Sequence, residues 1–332
     1  MKALVTGSSG HLGEALARTL RNRGDDVIGL DIREGPFSTV VGSITDRSLV
    51  RRVMEGVEVV FHAGALHKPH VATHSRQTFV DVNISGTLTL LEEAVASGVE
   101  AFVCTSSTSV FGDALIPPAG APAAWITEDV TPIPKNIYGV TKAAAEDLCQ
   151  LFYRNEGLAC VVLRTSRFFP EEDDDPTMRA AFGDANHKVN EFLSRRVEID
   201  DVAAAHLLAA ERAPTLGFRR YIISAATPFA SDDMAELRVN ATAVVRRLVP
   251  AFEDVYARLG WTMAPRLDRV YVSARARDEL GWRPHFDFPF LIERLAAGED
   301  VRSRLAGLVG SKGYHTETFA DGPYPVDDTS RT

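Results

Sequence analysis

The sequence predicts an α/β fold, a doubly wound parallel sheet followed by a smaller, discontinuous region. Three observations carry this expectation. Short continuous apolar runs, KALVTG, DVIGLD, TVVG, EVVFHAG, EAFVCTS, ACVVLRTS and RRYIISA, recur through the first two thirds of the chain. Segments such as HLGEALARTLRNRG and SGTLTLLEEAVASGV separate them, with Leu and Ala returning at three- and four-residue steps. Strands apolar on both faces that alternate with amphipathic helices are what a parallel sheet covered on both sides requires. A glycine-rich turn, VTGSSGHLG, joins the first run to the first helical segment.

That turn holds Gly7, Gly10 and Gly13 directly after a strand and at the start of a helix. The placement gives a dinucleotide a tight turn, close backbone approach and a helix N-terminus facing its pyrophosphate. Its spacing is GxxGxxG rather than GxGxxG, and a plain glycine-rich turn is the alternative reading. The second run ends on Asp31, where a carboxylate can accept both ribose hydroxyls and repel a 2′-phosphate. NAD is therefore expected as cofactor, and Arg33 close by leaves NADP open. Residues 1–167 are expected to form the cofactor-binding half. Residues 168–332 would form the substrate region, with a return strand near 219–224 joining the sheet. The tail ADGPYPVDDTSRT is rich in turn formers and is expected to be poorly ordered.

Composition narrows the function classes. The 332 residues are 45% hydrophobic and 24% charged, as in an ordinary globular protein, and the net charge is −9. Binding a phosphate backbone rests on clustered Lys and Arg, so nucleic acid is not expected as a partner. A small-molecule substrate is. No apolar run reaches 18 residues and no signal-peptide layout is present, so the reading is cytoplasmic and without a membrane. Cys104, Cys149 and Cys160 lack metal-ligand spacing and read as reduced packing residues. His62, His67, His70 and His74 invite a metal reading, which is set aside because chemistry at a nicotinamide needs none.

Further along, YGVTK at Tyr138–Lys142 makes the pattern specific. With TGSSGHLG, Asp31, HAGA, NISGT, TSSTSVFG, LRTSRF, VEIDDVAAAH and later ARDELGWRP, all in order, the chain resembles the extended short-chain dehydrogenase/reductases, the nucleotide-sugar epimerase/dehydratase family. The resemblance implies a Rossmann domain that binds NAD through Gly7, Gly10, His11, Leu12, Gly13, Asp31, Ile32, Ser43, Ile44, Ala63, Gly64 and Ala65. It implies catalysis by Ser107, Tyr138 and Lys142. Ser107 would hydrogen-bond the substrate oxygen, and Tyr138 would move the hydroxyl proton that must accompany hydride transfer. A free tyrosine titrates near about pH 10, and Lys142, one helical turn on, would supply positive charge and reach the nicotinamide ribose. His67, Ser107, Thr108 and Arg167 are the expected substrate contacts.

Departures from the family pattern shape the rest. GSITD puts Ser43 and Ile44 where the family often has an acidic residue beside adenine. Arg167 stands where an Asn often holds substrate; a guanidinium there suits a carboxylate or phosphate. The segment from Pro170 to Ile199 is short for a nucleotide-sugar enzyme, and its acidic run Glu171–Asp175 reads as a solvated loop. Thr108 and Ser109 replace the Asp-Glu pair of the family's 4,6-dehydratases, against dehydration. The reading is an NAD-dependent oxidoreductase or epimerase acting at a secondary alcohol or ketone of a sugar or sugar derivative. A dehydrogenase of a free sugar or sugar acid and a non-catalytic NAD-binding module are the alternatives. The segments 79–98 and 140–157 are expected to pair two copies into a homodimer.

Overall fold

The first apolar run forms β1 (Lys2–Thr6), which feeds the glycine-rich turn into α1 (His11–Asn22). This computed structural model describes residues 1–315, Phe319 and Gly322; the tail expected to lack order, 320–332, lies outside the described residues apart from Gly322. After α1 come β2 (Asp26–Asp31), β3 (Val40–Val41) and α2 (Arg47–Met54), whose first turn is capped by Asp46 accepting from the Leu49 N–H. Next are β4 (Val59–His62) and α3 (Arg76–Phe79), which runs through a π-bulge over Val80–Ser85 into α4 (Gly86–Ala96). β5 (Ala101–Ser107) and β6 (Ala124–Ile126) precede the longest of these helices, α5 (Ile137–Glu156). Asn136 caps α5 by accepting from the Gly139 N–H, and Gly157 ends it at φ 74°, a left-handed position that favours glycine.

β7 (Cys160–Thr165), α6 (Pro176–Ala181), α7 (Asp184–Glu191), α8 (Ile199–Leu216) and β8 (Phe218–Ile223) follow. The chain ends its described course with α9 (Met234–Leu248), α10 (Phe252–Leu259), β9 (Arg269–Tyr271), α11 (Phe288–Ala296) and α12 (Arg304–Val309).

Seven strands form one parallel sheet in the order β3-β2-β1-β4-β5-β7-β8, the doubly wound α/β architecture expected from the alternating pattern. One face packs Leu16 and Leu20 of α1 and Val202 and Ala209 of α8 against β1, β4, β5 and β7. The other buries Val50 of α2, Leu90 of α4 and Cys149 and Phe152 of α5. All three cysteines are free and buried on that second face. A separate core made by Phe192, Leu237, Val244, Phe252 and Leu291 holds α9, α10 and α11 together. β6 and β9 pair in parallel, Ala124 with Arg269 and Ile126 with Tyr271.

The strand order reverses between β1 and β4, so the loops leaving them diverge and open a crevice at the carboxyl ends of the sheet. The expected catalytic residues Ser107, Tyr138 and Lys142 lie along it.

Candidate active site

At the crevice the glycine-rich turn is held to tight tolerances. Gly7 sits at φ 72°, and a Cβ there would lie 2.8 Å from Gly64 Cα in the loop after β4. A Cβ on Gly13 would stand 1.9 Å from the Gly7 carbonyl oxygen. The Thr6 hydroxyl accepts from the Gly64 N–H at 3.0 Å, fixing the two loops against each other. α1 begins at Gly10 with no side-chain cap, so its first N–H groups have no partner within the helix and are directed to the crevice.

At the end of β2 the Asp31 carboxylate, 9% exposed, accepts from the Ser9 N–H and the Arg33 N–H, each at 2.9 Å. Ile32 beside it is 69% exposed, an apolar face next to the carboxylate. The Ser43 hydroxyl meets Thr45 at 2.8 Å, and the Ile44 side chain, 6% exposed, packs into the core where Gly86 of α4 lets it approach.

A cleft of about 430 Å³ runs from the glycine-rich turn toward β9. Gly7, Gly10, His11, Leu12, Gly13, Ala63 and Ala65 line one end, and His67, Ser107, Thr108, Tyr138, Lys142 and Arg167 continue it. These residues of the expected catalytic and substrate sets are thus brought to one cavity. Ser107 ends β5, where its hydroxyl accepts from the Ser109 N–H and donates to the Ser109 hydroxyl, both at 3.1 Å. Tyr138 and Lys142 lie four apart in the first turns of α5 and share a face. Lys142 is only 4% exposed and forms no ion pair among the described residues. A buried ammonium without a carboxylate requires polar ligands, and ribose hydroxyls supply them. Together with the cradle that a single Cβ would fill, this fits NAD.

α5 is anchored below that face. Glu146, 2% exposed, accepts from Ser106 of β5 at 2.6 Å and from Arg164 of β7 at 2.7 and 3.0 Å. Asn83, in the π-bulge, ties the loop after β4 to the same helix: its side-chain carbonyl accepts from the Leu66 N–H at 2.8 Å, and its amide donates to the Thr141 hydroxyl at 3.0 Å.

His62, His67 and His70 are held toward the neutral form by burial. His62 lies between the Thr6 and Thr87 hydroxyls at 2.8 and 3.0 Å, and burial, aided by the charge of Lys142, takes its pKa down to about 3. Burial likewise lowers His67, and brings His70 down to about 4. His67 lines the cleft with its ring edge-on to Tyr314, centroids 5.1 Å apart.

The acidic run Glu171–Asp175, expected as a solvated loop, is solvated only in part: Glu172 and Asp175 are exposed, whereas Glu171, Asp173 and Asp174 fold back onto cations and N–H donors. Asp173, 5% exposed, pairs with Arg167 at 2.7 Å, His187 at 3.0 Å and Arg195 at 3.2 Å. Asp173, His187 and Glu191 are close enough to share a metal ion, but Arg167, Arg195 and Arg196 already neutralise these carboxylates. Arg167 therefore faces the cleft as half of an ion pair. Glu171 accepts from the Ser311 hydroxyl at 2.7 Å and the Lys312 and Gly313 N–H groups at 3.2 Å, and meets His11 Nε2 at 2.9 Å. These contacts strap Gly310–Tyr314 across the N-terminus of α1, and Lys312, Gly313 and Tyr314 line the cleft. Neither the strap nor Arg269, also in the cleft wall, carries a spacing signal in the sequence.

Comparison with known proteins follows the same lines. A solved short-chain dehydrogenase/reductase superfamily protein from Agrobacterium tumefaciens, with bound NAD, superposes with a TM-score of 0.64 at 25% identity, covering 93% of this chain and 99% of that one. Sterol demethylase protein B of Methylococcus capsulatus is 32% identical over 241 residues, 68% of this chain and 70% of its own length. The y4nG protein of Sinorhizobium fredii is 36% identical over 167 residues, 49% of this chain, and the match spans 40% of that protein. The model of the NAD dependent epimerase/dehydratase family matches residues 3–223, from β1 through β8, and the chain belongs to that family.

Proposed function

We propose that the protein is an NAD-dependent oxidoreductase or epimerase acting at a secondary alcohol or ketone of a sugar or sugar derivative. The observation that carries this reading is the convergence of Ser107, Tyr138 and the unpaired Lys142 in one cleft beside the glycine-rich turn. NAD, when bound, supplies the acceptor and donor of hydride at the alcohol carbon. Asp31 and the backbone N–H groups of α1 would hold its ribose and pyrophosphate, and Ile32 would offer an apolar face to the adenine. Tyr138 takes the hydroxyl proton as the alcohol is oxidised and returns it when the ketone is reduced. Ser107 donates a hydrogen bond to the same oxygen, and the Lys142 ammonium stabilises the phenolate by charge. Ser109, Asn136, Lys135 and Arg269 give the substrate end the polar lining that a polyol requires.

A second reading, an apolar ring alcohol, is favoured by Leu115, Ile116, Phe168 and Phe169 in the same wall and by the sterol demethylase relative. The test is to incubate the protein with NAD and panels of sugars, sugar acids, nucleotide sugars and sterols, following nicotinamide reduction and epimer formation. Turnover confined to the sterols would replace the first reading by the second.

The same reading includes a homodimer of cytoplasmic copies. Val140 and Leu151 of α5 are 47% and 45% exposed along one side of the helix, and the partly exposed Leu88 and Val95 of α4 extend this apolar strip. A second copy covers it.

A further inference from the structure

Four arginines line the cleft, and their surroundings differ. Arg167 is paired with Asp173 at 2.7 Å, and Arg195 with Glu191 at 2.9 Å. Arg33 lies at the cofactor end beside Asp31. Arg269 lies in the wall that β9 forms, and its Nε is buried with no hydrogen-bond partner. No carboxylate pairs with it among the described residues. The neighbouring Asp268 is taken by Arg238, so it does not neutralise Arg269.

The strand also aims this guanidinium. Side chains two apart on a strand share a face, and Tyr271, also in the cleft wall, stacks on Phe111 with centroids 6.5 Å apart. Phe111 closes the helical turn that begins just after Ser107. The face that carries Arg269 therefore borders the segment carrying the catalytic hydroxyl. A guanidinium left with unused N–H groups in a cleft is built to receive an oxyanion in two-pronged fashion.

We propose that Arg269 is the substrate's anion anchor, and that the cleft selects a polyol bearing a carboxylate or a phosphate monoester over its neutral counterpart. The proposal rests on the carbohydrate reading above and names the substrate class within it. Arg167 then serves to hold the acidic loop in place through Asp173.

The test uses the full chain saturated with NAD and three probes: glucuronate, glucose 6-phosphate and glucose. Thermal stabilisation by each probe and, where turnover occurs, KM and kcat are measured for the native protein, Arg269→Lys and Arg269→Met. The native protein should bind glucuronate or glucose 6-phosphate at least tenfold more tightly than glucose, and the arm that responds identifies the anion. Arg269→Met should abolish that preference, raising KM for the acid by roughly 10- to 100-fold with the change in KM exceeding that in kcat. Arg269→Lys, which keeps the charge and loses the fork, should retain part of it.

An NAD affinity equal to that of the native protein shows that the variants are folded. Equal binding of acidic and neutral probes, or a preference that survives in Arg269→Met, overturns the proposal while leaving the carbohydrate reading standing. Binding of sterols with none of the three probes overturns both.

Discussion

Replacing Glu146 by alanine should destabilise the protein by about 3 kcal/mol and slow whatever reaction Tyr138 and Lys142 perform. Glu146 lies one helical turn beyond Lys142 on α5 and is clamped by Ser106, Arg164 and Arg220, with Arg164 only 4% exposed. Removing one partner of a buried pair costs about 3–5 kcal/mol, because the other charge is left uncompensated. Arg164 keeps a hydrogen bond to the Glu128 carbonyl at 3.4 Å and stands 5.0 Å from the centre of the Phe111 ring, which places the cost at the lower end. Replacing both members together, Glu146→Leu with Arg164→Met, removes the orphaned charge and should recover most of the loss. Denaturant unfolding of Glu146→Leu, Arg164→Met and the double variant, beside Glu146→Ala, gives the coupling directly. A cost below about 1 kcal/mol for Glu146→Ala, or a double variant as damaged as the sum of the singles, would refute the claim that this pair clamps α5 to the sheet.

Three further outcomes are expected. NAD should bind more tightly than NADP, and Asp31→Ala should narrow the gap by removing a carboxylate that repels the 2′-phosphate, as titration of both cofactors against both proteins would show. Burial alone would raise the pKa of Glu171, but the bonds from His11 and Ser311 outweigh it and hold the carboxyl near about 2. A depressed carboxylate stabilises the fold above the ordinary glutamate value of about 4.3 and loses that contribution as pH falls toward its folded value. Protection of the Lys312 and Gly313 amides from hydrogen exchange should accordingly fade from about pH 4.3 downward; undiminished protection near pH 2 would contradict the strap's dependence on Glu171. Light scattering should give a dimer mass, and Leu151→Glu should shift it to the monomer.

The sheet was legible because its central strands, buried on both faces, must be apolar throughout, and each of the seven quoted runs lies on a strand of that sheet, the edge strands β3 and β8 being only partly covered. The glycine-rich turn was equally readable, since only glycine tolerates the 1.9 Å approach at position 13. Tyr138 and Lys142 are expected from the resemblance that YGVTK carries, and α5 puts the pair on one helix face. Where the account depended on what a side chain meets across the fold, sequence was silent. Five carboxylates in a row look solvated, yet His11 meets Glu171, and Arg167, His187 and Arg195 converge on Asp173, while Glu172 and Asp175 stay exposed. That the Ile44 side chain packs into the core against Gly86 of α4 is likewise invisible in GSITD. Arg269 stands among other arginines in the sequence; what sets it apart is its place in the cleft wall with a buried Nε and no carboxylate paired with it among the described residues.

The central claim is that Tyr138 moves the substrate proton beside bound NAD, and single-turnover nicotinamide reduction by the native protein and Tyr138→Phe tests it most directly. With the substrate that the panel identifies, the variant should keep its affinity for NAD and substrate within a few-fold and lose roughly 10²- to 10⁴-fold in the rate of the chemical step. A variant that reduces nicotinamide at the native rate would contradict the assignment of Tyr138 as the acid/base, and with it the reading of the cleft as a hydroxyl-oxidising site.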